Sequence, residues 1–121
     1  MALQDLLDEI LEDLELAEDL VDSAPGPLSD PPKTAVAAKL TSVLSTIENA
    51  FNQLGDIGTA DTSGPPRTLP GIAGECVGLA DNASTSNQET PPDINDVANQ
   101  LKTIAWLIDV SHGYREKAGI N

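Results

Sequence analysis

Cys76 and His112 are the only cysteine and the only histidine of the chain, and they are where nucleophilic or acid–base chemistry would have to start. A thiol becomes a nucleophile when an imidazole takes its proton. Neither residue sits in a local signature of such a pair. Cys76 lies in GECVG, where a small thiol among glycines is expected to be buried and inert. His112 falls near the end of a helical pattern, where an imidazole can serve the last carbonyls. With one cysteine there is no intramolecular disulfide, so a non-disulfide setting is expected.

Metal and phosphate chemistry lack their patterns as well. The acids do not form the D-x-[DN]-x-[DN]-G loop that wraps calcium, and no Glu-x-x-His exists for a di-iron bundle. Gly71, Gly74 and Gly78 match neither G-x-x-x-x-G-K-[ST] nor G-x-G-x-x-G. Asn82-Ala83-Ser84 fits the N-glycosylation triplet, a pattern frequent by chance. The expectation is a protein without catalytic residues, cofactor or metal.

What stands out is charge. Residues 5–22, DLLDEILEDLELAEDLVD, hold nine acids and no base. They account for about two thirds of the net charge of −14, and the other 103 residues carry eleven acids against six bases. Direct binding to nucleic acid or anionic lipid is therefore disfavoured. Asp5, Asp8, Glu12, Glu15, Asp19 and Asp22 share one side of a helix, opposite Leu3, Leu7, Ile10, Leu14, Ala17 and Val21. Leu6 and Leu20 widen the apolar stripe. Such a face can be a merely solvated surface, an adaptation to high salt, a dock for a basic subunit, or a mimic of a nucleic-acid backbone. The ordinary acid density of the rest of the chain speaks against the salt-loving source.

The elements that position these residues are all helical. An aliphatic composition with Phe51, Trp106 and Tyr114 as its only aromatics suits a helical bundle better than a sandwich or barrel. The chain is expected to be one domain over 1–121, a small antiparallel bundle of three long helices and one short Gly-rich helix, at about 2–22, 31–54, 70–83 and 91–117. Asp30 with Pro31 marks the second start and Gly55 its stop. Residues 55–68 read as a loop. In the third helix, Gly74 and Gly78 share a face and would let a neighbour come close. Thr90 is placed to cap the last helix, with Pro91 at its first position and Asp93 completing a capping box.

The last helix is apolar on two sides. Ile94, Val97, Leu101, Ile104, Ala105 and Ile108 make its main face, while Trp106, Leu107, Val110 and Tyr114 project opposite. That second face is either covered by the Gly-rich helix or is a subunit contact. The functional expectation is a non-enzymatic structural or assembly protein acting through protein–protein contacts, such as a small subunit of a multimeric particle (a virion or filament). The alternative is an acidic inhibitor or adaptor for a basic protein, including by nucleic-acid mimicry. The partner-contact candidates are Trp106, Leu107, Val110 and Tyr114, with Asp5, Asp8, Glu12, Glu15 and Asp19. The partner is another copy or a basic subunit, in an oligomeric assembly. No basic n-region with an apolar run opens the chain and no stretch could span a bilayer, so a soluble intracellular or particle-borne protein is expected rather than a secreted one.

Overall fold

A computed structural model describes residues 2–23, 28–63, 69–109, 113 and 114. These residues form four helices, α1 (Leu3–Asp22), α2 (Asp30–Leu54), α3 (Leu69–Asn87) and α4 (Ile94–Asp109), and no strand is found among them. α1 packs on both α2 and α3, α3 packs also on α4, and α2 meets α4 over a much smaller contact. One apolar cluster draws on all four helices, with Leu28 and Tyr114 added from outside them.

α1 owes little to its own ends. Ala2 caps it without a side-chain bond, and its last turn holds no base. Like charges four apart, as in Asp5/Glu9, Asp8/Glu12 and Glu15/Asp19, each cost a few tenths of a kcal/mol. The helix is held by Leu6, Leu7, Ile10, Leu14, Ala17 and Val21, all buried, against α2 and α3. Asp13 fastens it sideways, accepting a hydrogen bond from Ser42 Oγ at 2.9 Å and lying 3.6 Å from Lys39 Nζ. Gln4 Nε2 donates to Ser84 Oγ near the far end of α3 (2.8 Å), while Glu18 lies against Gly74 near its start.

The starts differ from the sequence expectation by small but informative steps. α2 begins at Asp30 with Ser29 before it, so Asp30 is the first helical residue and not the cap. α4 begins at Ile94, three residues after the expected start. Asp93 Oδ1 accepts the Asp96 N–H at 3.1 Å, so Asp93 itself caps the helix, and Thr90 does not. α3 runs on to Asn87, four residues past its expected end, and its 19 residues outnumber the 16 of α4. A right-handed helix does not run unbroken to 117, because Gly113 has φ +57°, outside the right-handed helical region. The remainder of that expected extension lies outside the described residues.

Residues 55–63 run as a non-helical segment along α4. Thr59 N–H donates to Asn99 Oδ1 (2.7 Å), Asp61 N–H to Thr103 Oγ1 (2.9 Å), and Lys102 Nζ to the Gly58 carbonyl (3.1 Å). Gly58 makes that approach possible. Its φ is +80°, and a Cβ there would meet Ala98 Cβ at 2.8 Å. The expected close approach at the glycines of α3 is not found at Gly78. Gly78 faces outward, and a Cβ on it would meet nothing within 4 Å. Gly74 does have a near neighbour, Glu18 Oε2 at 3.3 Å. Two alanine substitutions should therefore have opposite signs in denaturant unfolding: Gly78→Ala should stabilise by about 1 kcal/mol through helix propensity, and Gly58→Ala should destabilise by about 2 kcal/mol through strain and clash.

Candidate functional site

The acids of α1 divide into two groups by what surrounds them. Asp13 is tied into the fold by Ser42 and Lys39. Asp5, Asp8, Glu9, Glu12, Glu15, Asp19 and Asp22 are exposed, pointing away from the α2 and α3 contacts. The sequence pattern singles out most of the exposed set but not the structural role of Asp13, which depends on a partner helix and has no local signal.

Two leucines accompany the exposed acids. Leu16 is 41% exposed and is the one large hydrophobic classed as exposed among the described residues, while Leu11 is half-buried at the edge of the core. Asp8, Leu11, Glu12, Glu15, Leu16 and Asp19 line a shallow cleft of about 350 Å3 on this outer face. An exposed leucine inside a field of carboxylates has no structural purpose evident in the fold. Charge periodicity alone presents the stripe as purely acidic; the signal for its apolar part is the pair of leucines that fall outside the core period.

Glu18 differs from its neighbours. It is half-buried, and burial first, then the charges of Asp22, Asp19 and Glu15, raises its carboxyl above the ordinary 4.5. A raised carboxylate pKa means that the folded state binds the proton more tightly than the unfolded chain. The stabilising proton is fully in place below about 4.5 and is lost as pH climbs through the folded value. Glu18→Gln should thus melt higher than the parent at pH 7, and the difference should close as pH falls toward 4.5. Melting temperatures of the two proteins between pH 4 and 7 provide the check.

The α4 candidates are scattered rather than gathered. Leu107 and Tyr114 are 1% and 0% exposed, so neither presents surface to another molecule. Trp106 is half-buried against the core. Val110 lies outside the described residues, as does His112, so the Cys76–His112 pairing does too. Tyr114 reaches the core from beyond the turn at Gly113, and its Oη is buried with no hydrogen-bond partner. Burial, with Cys76, Glu18 and Asp22 adding to it, pushes its phenol well above the usual range.

Cys76 is fully buried, and its thiol is pushed up to about 12, mainly by burial and further by Glu75. At pH 7 a thiolate there is rarer than about one in 10^4, the opposite of an activated nucleophile. A polar cleft of about 260 Å3 between α3 and α4 is lined by Glu75, Asn82, Gln100 and the residues that hold the 55–63 segment, Asn99 and Thr103. Several of its polar groups are spent on that structural task. Among the described residues no three His, Cys, Asp or Glu side chains converge as a metal site, and no helix is long and apolar enough to cross a membrane. Comparisons with protein families, with curated proteins and with solved structures return no match for this chain.

Proposed function

We propose that this chain is a non-enzymatic protein that works through protein–protein contacts, docking a basic protein on the outer face of α1. The observation that carries the reading is the exposed row of Asp8, Glu12, Glu15 and Asp19 with Leu16 uncovered among them. Carboxylates in a row steer a basic partner and set its register, while the leucine supplies contact area that water does not reward. The role is that of an adaptor or inhibitor of a basic partner, or of a small subunit that meets a basic neighbour in a particle such as a virion or filament. The antiparallel bundle we take as its scaffold is supported by Gln4 meeting the end of α3 and Glu18 its beginning.

Self-association through the far side of α4 is the weaker route, since Leu107 and Tyr114 have no exposed surface to give. Sedimentation over a concentration series at low and near-molar salt separates the two. The docking reading expects a compact 12.6 kDa monomer under every condition. A mass that rises with concentration and is strengthened by salt would contradict it and favour an apolar self-assembly contact.

A further inference from the structure

The proposed docking face has a geometry that narrows its occupant, and the narrowing rests on that docking reading. Asp8, Glu12, Glu15 and Asp19 are separated by four, three and four residues. At 100° and 1.5 Å per residue they form a nearly straight ridge about 16 Å long. Leu11 and Leu16 fall about 70° to either side of that ridge, one on each shoulder. The outer face of α1 is thus charged along its crest, with one leucine on each flank.

We propose that this face seats a basic helix of a partner protein, one with Lys or Arg at i, i+4, i+7 and i+11. Three considerations select that occupant. The complementary charge must be positive, and among the described residues no ion pair reaches the ridge, Lys39 pairing with Asp13 and Lys102 with Asp56. A Lys or Arg reaching the crest lays its methylene stem down the flank, where Leu11 and Leu16 cover it. The face offers side chains only, since the backbone of α1 is spent within the helix. An extended strand lying on it would find no backbone partner there and would leave its C=O groups to water alone, whereas a helix arrives with its backbone satisfied. A helix also repeats the ridge's own spacing, while same-face residues of a strand recur only every 6.6–6.8 Å or so.

The test uses three synthetic 18-residue peptides of alanine, glutamine and four lysines. One carries the lysines at i, i+4, i+7 and i+11. The second has the same composition with lysines distributed around the helix. The third is the first peptide broken by two prolines. Binding to the full chain is measured by anisotropy at low salt, on the parent and on Leu16→Gln, a substitution at an exposed position that keeps a good helix former. The one-faced peptide should bind at least tenfold tighter than either control, and Leu16→Gln should cut that advantage to threefold or less. Either control equalling the one-faced peptide on the parent overturns the helical seat while leaving the acidic dock standing. An unchanged advantage on Leu16→Gln overturns the role of the leucine shoulders and with it this seat. Absence of binding by all three at low salt overturns the acidic dock itself.

Discussion

Leu14→Ala will lower the unfolding free energy by about 3 kcal/mol, the range for deleting a fully buried leucine side chain. Leu14 is 1% exposed and sits midway along the apolar stripe of α1. This helix has no side-chain cap at its start, no base in its last turn, and repelling carboxylates along its length. Its ends add little beyond Asp5 in the first turn and a hydrogen bond from Ser23 Oγ to the Leu20 carbonyl (3.1 Å), so weakening its packing on α2 and α3 acts on the whole element. Chemical denaturation monitored by circular dichroism measures the loss. A cost below about 1 kcal/mol would mean that α1 is held by something other than its buried face. A helix with nine acids holds together here because its apolar side is nearly complete, which leaves the outer side exposed.

Tyr114→Phe should have the reverse sign, raising stability by about 1–2 kcal/mol. The ring is fully buried, and its Oη has no hydrogen-bond partner, so the phenol loses its water without compensation. Phenylalanine keeps the ring and removes the cost. Denaturant midpoints for the two proteins at neutral pH decide it. A loss of stability on removing the hydroxyl would show that the oxygen is engaged, and that a polar bond holds this residue near Cys76 and Glu18.

Particular residues show what is legible in the sequence and what is not. The α1 stripe is legible because an apolar residue recurs there every three or four positions without interruption, and six residues of the helix are buried. The stop at Gly55 is legible for an equally local reason, and its φ is +82°. The start of α4 is not, because two overlapping signals compete. Thr90 with Asp93 resembles a capping box, yet Asp93 is itself a good cap, and it is Asp93 that accepts the Asp96 N–H. The glycines of α3 share a helical face whichever way that face points, and only the packing of α1 and α4 decides that Gly78 looks outward. Extending a 3.6-residue period through Gly113 puts Tyr114 on the second face of the last helix. The positive φ there breaks the period, and the ring ends in the core. At the site, the exposed acids follow from periodicity, whereas the structural duty of Asp13 and the exposure of Leu16 need α2 to be in place.

Whether the exposed carboxylates of α1 are a dock or only a solvated surface can be read from one titration. A labelled, unstructured oligolysine is added to the parent chain and to the variant Asp8→Asn/Glu12→Gln/Glu15→Gln/Asp19→Asn, in about 50 mM and about 500 mM salt, both sides of the screening range. A dock binds the oligolysine in the parent at low salt, loses at least tenfold in affinity at high salt, and loses a comparable amount in the variant at low salt. Equal binding by parent and variant would overturn the docking face, because the attraction would then belong to the acidity of the whole chain.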